Sequence, residues 1–345
     1  MDKTIGILTG DGDCPGLNAV IRAIVRKSLH FGNHAVGIRK SWKGILERDV
    51  IPLDINSVSD IIGKGGTILG SSRTNPFKYE GGAEKVMQHL WELHIDVLVA
   101  VGSRDALQVA RRLYDEFQCP VIGIPKTIDN DLLTTDFTFG FHTAVATVTD
   151  ALDRIHSTAE SHDRVMILEV MGRYTGWIAT YAGIAGGADC ILIPERPFSL
   201  EGVCKLIQKR HQRGKDFSII IVAEGARPQE INRFLVKTEQ VDEFGHKQLG
   251  GIGNFIAQEI ETLTGFETRV TILGHVQRGG SPTAFDRVLA TRFGVKAAEM
   301  ADAGTFGKMV SLRNNRILEV DLSELVDQAK PIDPTLYDIA EVFFG

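Results

Sequence analysis

The chain has 345 residues, enough for two α/β domains or one large one, and 43% of them are hydrophobic, which provides for a sizeable core. Its formal net charge is −6, from 38 basic and 44 acidic residues without a basic block, so we expect no nucleic-acid partner. No stretch of about 18 apolar residues is present, so we expect no membrane-spanning segment.

The four cysteines are Cys14, Cys119, Cys190 and Cys204, and no two of them form a CxxC pair. This pattern predicts reduced thiols rather than disulfide bonds. The amino terminus leads directly into a predicted strand, without the basic region, apolar stretch and cleavage site of a signal peptide. We therefore expect the protein to be cytoplasmic.

The first half of the chain alternates short apolar runs with amphipathic segments of helical period. The predicted strands are residues 5–8, 35–38, 95–101 and 121–124. The predicted helices are residues 17–30, residues 82–93 and a segment that ends near residue 117. Strands that alternate with helices in this way predict a parallel, doubly wound sheet.

Two glycine-rich segments interrupt this pattern. Residues 10–16 form a turn between the first strand and the first helix, and a strand, a glycine turn and a helix N-terminus together make an anion site. A GxG sequence alone is more often an ordinary turn. A second glycine-rich loop, residues 63–73, ends in Arg73, which we expect to be exposed. The alternative to a functional role for Arg73 is that it is an ordinary surface arginine.

The most informative stretch is residues 125–132, PKTIDNDL, which follows the apolar run 121–124. Ligands collect outside the carboxyl ends of parallel strands. Asp129 could accept a proton from an alcohol, Asp131 could help to hold a divalent cation, and Lys126 could neutralise phosphate. From these residues alone, a strand-to-loop turn in which Asp and Asn cap backbone donors is an equal alternative.

The strand–helix pattern restarts in the second half of the chain. The predicted strands are residues 165–170, 190–193, 218–223 and 270–273. The predicted helices are residues 144–159, 200–213, 251–263 and 284–301. Two predicted hairpins cover residues 237–250 and residues 308–320. No short internal repeat indicates a solenoid.

Polar side chains stand at the ends of several strands in this half. Arg173, Glu224, His275 and Arg278 follow predicted strands, and Arg269 precedes one. Each of them alone is more often structural. Together they indicate an anion-binding face beside a hydrogen-bonding face, which is typical of a site for a phosphorylated sugar.

With these motifs, the chain resembles the bacterial 6-phosphofructokinases of the phosphofructokinase A family, in the group with both ATP- and pyrophosphate-using members. The resemblance covers nearly the whole chain. Its most specific parts are the segments GDCPGLNAVIRAIVRK, GGTILGSSRTNP, PKTIDNDL, EVMGRYTGWIA, AEGA and GHVQRGGSPTAFDR.

The resemblance implies two doubly wound, Rossmann-like α/β domains with mostly parallel sheets and an active site in the cleft between them. Residues 1–140 plus 277–327 would form the domain for the phosphoryl donor and magnesium. Residues 141–276 plus 328–345 would form the domain for fructose 6-phosphate.

The resemblance also implies Mg²⁺-dependent transfer of a phosphoryl group to the C1 hydroxyl of fructose 6-phosphate, a step of glycolysis. Asp129 would be the base, supported by Thr127, Lys126 and Arg73. The residues implied to bind fructose 6-phosphate are Thr127, Ile128, Asp129, Arg164, Met171, Gly172, Arg173, Glu224, Arg269, His275, Val276, Gln277 and Arg278. Arg164 and Arg269 would reach the sugar phosphate of a neighbouring subunit, which implies a homodimer or homotetramer.

On the donor side, the resemblance assigns Gly12, Asp105 and Lys126 to the phosphoryl donor. Asp105 and Lys126 match the pair that accompanies pyrophosphate use in this family. A carboxylate at position 105 repels the α-phosphate of a nucleotide, and Lys126 supplies charge to pyrophosphate. Pyrophosphate is therefore the preferred donor, and an ATP-dependent enzyme is an alternative.

The donor loops also depart from the family pattern. Asp11 and Ser103 stand where relatives have glycine, and Arg104 occupies the usual position of the acidic Mg²⁺ ligand, which leaves Asp131 as a weaker candidate ligand. These departures support another alternative, a catalytically impaired paralogue that binds sugar phosphate and serves as a regulatory or structural subunit of an active partner. The opposite signs of Asp11 and Arg104 predict an ion pair across the pocket, with independent drift as the alternative.

Overall fold

The computed structural model describes residues 2–231, 236–241, 244 and 247–345. In chain order the helices and strands are β1 (Thr4–Thr9), α1 (Leu17–His30), β2 (His34–Ile38), α2 (Trp42–Glu47), β3 (Val50–Leu53), α3 (Gly82–Glu92), β4 (Val97–Gly102), α4 (Arg104–Phe117), β5 (Val121–Thr127), β6 (Phe139–Gly140), α5 (Phe141–His162), β7 (Val165–Val170), α6 (Trp177–Ala185), β8 (Cys190–Leu192), α7 (Leu200–Gln212), β9 (Ser218–Ala223), β10 (Val236–Val241), β11 (Lys247–Leu249), α8 (Ile252–Thr264), β12 (Thr268–Ile272), α9 (Ala284–Ala303), β13 (Lys308–Arg313), β14 (Arg316–Asp321) and α10 (Pro334–Glu341).

The chain forms two compact units. Unit 1 consists of Met1–Thr143, Asp242–His246 and Arg278–Gln328, and unit 2 consists of Ala144–Val241, Lys247–Gln277 and Ala329–Gly345. Each unit has its own sheet and its own apolar core, so each is described by itself below.

The sheet of unit 1 has the strand order β14-β13-β5-β4-β1-β2-β3, and the short strand β6 pairs with β5. The central strands are parallel, whereas β3 and β14 run antiparallel at the two edges. All six residues of β4 and all seven of β5 are buried. Continuous apolar strands of this kind are covered by helices on both faces, so the predicted parallel, doubly wound sheet is confirmed.

The helices of unit 1 bury one face each. In α4 the buried side chains recur at helical spacing, from Ala106 and Leu107 through Ala110 to Leu113. α1 and α9 approach each other closely at Gly294, where a Cβ would lie 2.7 Å from the Cβ of Ala23. Only glycine fits at this crossing, because ordinary contacts between carbon atoms are about 3.5–4.0 Å.

The sheet of unit 2 has four parallel strands in the order β12-β7-β9-β8. All residues of β7 and β9 are buried, and α7 and α8 contribute apolar side chains to the same core. β10 and β11 pair as an antiparallel hairpin, as predicted. Residues 242–243 and 245–246 of the predicted hairpin lie outside the described residues.

In the described part of the chain, no helix combines the length and the apolar character needed to cross a membrane. Among the described helices and strands, five elements were missing from the sequence prediction: the helices α2, α6 and α10, the edge strand β3 and the short strand β6.

Candidate active site

Three neighbouring strands of unit 1 carry the donor-side residues. β5, β4 and β1 are adjacent and parallel, so their carboxyl ends lie at one edge of the sheet. β1 leads into the glycine turn, β4 into the N-terminus of α4, and β5 into the loop that contains Asp129 and Asp131. This edge is where open parallel sheets bind ligands.

Asp11 lies on the glycine turn, and hydrogen-bond donors surround its carboxylate. Lys126 Nζ donates to Asp11 Oδ1 at 3.2 Å and to the carbonyl oxygen of Gly12 at 2.8 Å. The Ser103 backbone N–H donates to Asp11 Oδ1 at 3.1 Å, and the Ser103 hydroxyl donates to Oδ2. The side chains of Lys126 and Asp11 are only 3% and 6% exposed, so they form a buried ion pair.

The environment of Asp11 keeps its carboxylate charged. Burial by itself raises the pKa of a carboxyl group because the charged form loses hydration. The Lys126 cation and the hydrogen bonds from Ser103 outweigh burial and hold the pKa of Asp11 below its ordinary value. Ser103 is also the N-cap of α4. The Asp11 carboxylate therefore occupies a place at a helix N-terminus that suits an anion.

The predicted ion pair between Asp11 and Arg104 is wrong. Arg104 Nη2 donates to Asp131 Oδ2 at 3.1 Å and to the Asp131 carbonyl oxygen at 3.4 Å. Arg104 Nη1 donates to the carbonyl oxygen of Asp327 at 2.8 Å. Successive helical side chains point about 100° apart. Ser103, the N-cap, faces Asp11, so the next side chain points elsewhere, and each of the two substituted charges has a partner of its own.

Asp131 has an altered acidity as well as an unexpected partner. Burial and the neighbouring Asp129 carboxylate together raise the pKa of Asp131 to about 6, although the Arg104 cation lowers it. The side chains of Arg104 and Asp131 are 15% and 19% exposed, so this ion pair is also largely withdrawn from solvent.

The loop after β5 is held by its own polar side chains. The Asp129 backbone N–H donates to Thr127 Oγ1 at 3.0 Å, and Thr138 Oγ1 donates to the Thr127 carbonyl oxygen at 2.7 Å. Asn130, which is fully buried at φ 51°, accepts a hydrogen bond from the Thr138 backbone N–H at 3.1 Å. Ile128 is buried beneath the loop. These contacts fix the backbone of the loop that carries Asp129.

A pocket of about 390 Å³ lies beside the glycine turn in unit 1. It is lined by Gly12, Asp13, Gly66, Thr67, Gly70, Ser71, Ser72 and Arg73. The Gly12 backbone N–H donates to Ser71 Oγ at 2.7 Å, and Arg73 is exposed, as predicted. Arg278 Nη1 reaches the carbonyl oxygen of Asp13 at 3.5 Å. The structure thus brings Gly12, Arg73 and Arg278 together within unit 1.

Asp105 lies in the first turn of α4, where its backbone N–H donates to the Ser103 hydroxyl at 3.3 Å. A carboxylate in the first turn is favoured by the positive end of the helix dipole. The same charge makes the start of α4 less favourable for a nucleotide phosphate.

The residues at this edge do not fit a magnesium ion held by the protein. Mg²⁺ is commonly bound by one or two carboxylates together with substrate phosphates, and Asp129 and Asp131 are the first carboxylates on the loop after β5. Asp131 is already bound to Arg104. A magnesium ion at Asp131 would lie beside the Arg104 guanidinium. Like unit charges about 4 Å apart repel by roughly 4 kcal/mol at an effective dielectric near 20. In addition, no group of three His, Cys, Asp or Glu among the described residues is arranged for a metal.

The sugar-side residues of unit 2 lie at the carboxyl ends of β7, β9 and β12, which are neighbours in the sheet. Met171, Gly172 and Arg173 follow β7, Glu224 follows β9, and His275 follows β12. The loops after β7 and β9 are tied by a hydrogen bond of 3.1 Å from the Gly225 N–H to the Gly172 carbonyl oxygen.

Gln277 connects two of these loops rather than facing solvent. Its side chain accepts from the Met171 backbone N–H at 3.2 Å and donates to the Gly274 carbonyl oxygen at 3.0 Å. Gln277 is fully buried, whereas Val276 is 65% exposed and His275 is also exposed. Gln277 therefore positions the backbone around the site.

At Gly225, the loop after β9 lies very close to the backbone of the loop after β7. A Cβ at this position would lie 2.0 Å from the Arg173 carbonyl oxygen. We expect Gly225→Ala to lower the free energy of unfolding by about 1–3 kcal/mol and to displace Arg173. Denaturant titration and fructose 6-phosphate calorimetry measure the two effects. Gly202→Ala in α7 is the control, because the nearest atom would be 3.7 Å away. Equal behaviour of the two variants contradicts the prediction.

Arg164 and Arg269 lie at the opposite edge of the same sheet. Arg164 precedes β7, and Arg269 is the second residue of β12, so both stand at the amino ends of their strands. Both contact Glu267: Arg164 Nη2 at 2.9 Å, and Arg269 through a shorter ion pair. A strand of six residues is roughly 17 Å long. Arg164 and Arg269 therefore do not join Arg173 at one phosphate within a single chain.

Two residues that hold the donor side were not among the predicted site residues. Ser103 was noted only as a replacement for glycine, and Ser71 only as part of the loop before Arg73. Their hydrogen bonds to Asp11 and to the Gly12 N–H depend on loops that are distant in sequence. For Ser71, the glycine-rich context of the loop was the available signal.

The parallel α/β units, the glycine turn, the held carboxylate loop and the arginine-bearing strand ends are the features of a phosphotransferase that acts on a small phosphorylated substrate. The Phosphofructokinase family profile matches residues 4–301. This chain belongs to the phosphofructokinase family.

Individual relatives agree with this assignment. The chain is 52% identical to the pyrophosphate–fructose 6-phosphate 1-phosphotransferase of Streptomyces coelicolor over 99% of both chains. It is 49% identical to the ATP-dependent 6-phosphofructokinase of Mycobacterium tuberculosis, again over 99% of both. The structure of phosphofructokinase from Saccharomyces cerevisiae is similar with a TM-score of 0.82 and 31% identity, covering 99% of this chain and 47% of the yeast chain. This chain thus spans about half of the yeast one.

Proposed function

We propose that this protein transfers a phosphoryl group from pyrophosphate to the C1 hydroxyl of fructose 6-phosphate and so forms fructose 1,6-bisphosphate. The observation that carries the proposal is the position of Asp129 directly after β5, on a loop whose backbone Thr127 and Asn130 fix. A positioned carboxylate can accept the proton of the attacking hydroxyl. Arg73, exposed at the neighbouring pocket, supplies positive charge to the phosphoryl group in transfer.

The sugar phosphate is recognised by the strand ends of unit 2. Arg173 offers a guanidinium to phosphate, and Glu224 and His275 offer hydrogen bonds to hydroxyls or phosphate. Met171, Gly172 and Val276 supply backbone and apolar contacts, and Gln277 holds these loops in place. Thr127, Ile128 and Arg278 extend the binding residues from unit 1.

The choice of pyrophosphate as donor rests on Asp105 and on the relatives. Asp105 sits in the first turn of α4, where its charge opposes a nucleotide phosphate. The Streptomyces coelicolor relative is named for pyrophosphate and the Mycobacterium tuberculosis relative for ATP, at 52% and 49% identity. Lys126 is bound to Asp11. We therefore assign Lys126 to holding the glycine turn of the donor site, through Asp11 and the Gly12 carbonyl oxygen, and not to direct contact with the donor.

In this proposal, any magnesium ion is bound by the phosphoryl donor and not by the protein. Phosphofructokinases generally use Mg²⁺, but the carboxylate edge of this chain does not fit a protein-held ion. The steps assigned to Asp129, Arg73 and the sugar-side residues involve no metal.

An assay of fructose 1,6-bisphosphate formation tests the donor. With saturating fructose 6-phosphate, we expect kcat/KM for pyrophosphate to exceed that for ATP by roughly tenfold or more, because the charge of Asp105 disfavours the nucleotide. Asp105→Gly should reduce the ratio of kcat/KM for pyrophosphate to kcat/KM for ATP. Efficient use of ATP with little use of pyrophosphate contradicts the proposal and supports the ATP-dependent alternative.

The two buried ion pairs favour a second function, a sugar-phosphate-binding subunit with impaired chemistry. Asp11 and Lys126 neutralise each other, as do Arg104 and Asp131. In this case the assay shows no turnover with either donor, yet fructose 6-phosphate still stabilises the protein. The stabilisation is about 2.7 kcal/mol at a hundredfold excess over Kd. Recovery of activity on mixing with an active paralogue then supports the subunit role.

A homo-oligomer completes the sugar site in this proposal, whether a dimer or a tetramer. Arg164 and Arg269 lie at the edge of the unit 2 sheet opposite to Arg173. A symmetric partner copy can present them to the phosphate that Arg173 contacts.

Mixing two inactive variants tests this shared site. Arg173→Gln and Arg269→Gln should each be inactive alone. In a symmetric dimer with one shared site per chain, a hybrid of the two keeps one fully intact site. Random exchange at equal concentrations should therefore recover about a quarter of wild-type activity. Hybrids that form, as shown by mass spectrometry, without any gain in activity contradict the shared site.

We place the protein in the cytoplasm. All four cysteines are free and buried, as suits a reducing compartment.

A further inference from the structure

Arg104 is held in place by a wider set of contacts than its ion pair. Three side chains on one face of α4 contact the segment of residues 325–327. Arg104 Nη1 donates to the Asp327 carbonyl oxygen, Gln108 Nε2 donates to the Asp327 carboxylate, and Arg111 Nη1 donates to the Leu325 carbonyl oxygen at 3.1 Å. Residues four and seven positions along a helix share a face with the first. The Arg104 side chain is thus anchored from two sides.

The other side of the Arg104 guanidinium contacts the carboxylate edge of the sheet. It contacts both the side chain and the carbonyl oxygen of Asp131, at 3.1 and 3.4 Å. Carboxylate and carbonyl oxygens are also the ligands that a magnesium ion selects. A guanidinium with two donors on such oxygens provides the charge and the contacts that a cation would supply there.

We propose that Arg104 takes the place of a divalent cation at Asp131, so that the protein itself binds no metal at the carboxylate edge. This inference rests on the proposed function only in locating the donor site. It also bears on the donor: any divalent cation that turnover needs would have to be supplied with pyrophosphate, because Asp131 is paired with Arg104.

Metal binding in the absence of donor provides the test. Mn²⁺, whose free form gives a sharp electron paramagnetic resonance signal, replaces Mg²⁺ as the probe. Wild-type protein and the Asp131→Asn variant should therefore show the same Mn²⁺ binding, because Asp131 binds no metal in the wild type. Arg104→Glu should bind Mn²⁺ roughly tenfold or more tightly than wild type, because it removes a repelling charge and adds a carboxylate.

Two matched variants separate this effect from a general change of charge. Arg111→Glu makes the same reversal on the same helix face, beside the same 325–327 segment, and should leave Mn²⁺ binding at the wild-type level. Arg104→Gln, which removes the charge without adding a ligand, should lie between wild type and Arg104→Glu. Thermal unfolding confirms that each variant is folded.

Two results overturn the inference. One is saturable Mn²⁺ binding by the wild-type protein that Asp131→Asn abolishes. The other is a folded Arg104→Glu protein whose Mn²⁺ affinity is no greater than that of Arg111→Glu. Neither readout depends on turnover, so an inactive protein with the expected metal binding contradicts only the proposed transfer reaction.

Discussion

Lys126→Met should lower the free energy of unfolding by roughly 3–5 kcal/mol, because it leaves the buried Asp11 carboxylate without its cation. The two side chains are 3% and 6% exposed, so water replaces little of the lost interaction. Methionine keeps an unbranched side chain of similar length, which limits any loss of packing. Urea denaturation followed by circular dichroism measures the change.

The pair is also tested as a unit. Asp11→Asn alone should destabilise the protein. In the double variant Asp11→Asn with Lys126→Met, the free energy of unfolding should fall by clearly less than the sum of the two single decreases. Arg154→Met is the matched control, since it breaks an ion pair whose side chains are 78% and 66% exposed. It should leave the unfolding midpoint unchanged. Additive effects of the Asp11 and Lys126 changes exclude a coupled pair.

Lowering the pH should remove the stability that the charged Asp11 carboxylate contributes to the folded protein. The pKa of Asp11 is lower in the folded protein than its ordinary value. The unfolded state therefore binds the proton more readily, and the stability due to the Asp11 charge is full above a pH of about 3.9. It is lost as the pH falls through the folded pKa. The stability difference between wild type and Asp11→Asn should shrink only in that acid range.

Asp129→Asn should lower kcat by about 10²–10⁴-fold while leaving fructose 6-phosphate bound, because the amide cannot accept the proton of the C1 hydroxyl. The loop around Asp129 is held by hydrogen bonds that involve Thr127, Asn130 and Thr138. The substitution should therefore cost little stability. Initial rates with pyrophosphate and calorimetry with the sugar phosphate check the two halves of this prediction.

Asp131→Asn provides the contrast to this variant. Asp131 is the partner of Arg104, so its loss should destabilise the fold as well as change activity. If Asp129→Asn keeps full turnover, or loses sugar binding together with turnover, Asp129 is not the base and the proposed role fails.

Much of the fold followed from the sequence. The apolar runs that became β1, β4, β5, β7 and β9 are buried along their whole length or nearly so, and such runs between amphipathic helices specify a parallel sheet. The elements that were missed carry weaker signals. α2 has only six residues, and β3 is a four-residue edge strand that contains Pro52. α6 is almost uniformly apolar, so it shows no amphipathic period.

The sequence by itself determined which residues stand at the strand ends, because the position of Asp129 after β5 and of Arg173 after β7 depends only on the local alternation of strand and helix. Tertiary structure alone decided which charges pair. Asp11 and Arg104 differ in sign and lie on neighbouring loops, and the sequence predicted that they meet. The start of α4 directs Ser103 to Asp11 and Arg104 to Asp131, and the buried Lys126 takes the remaining place beside Asp11. Pairing depends on the direction of each side chain at its loop, and the order of residues along the chain does not specify that direction.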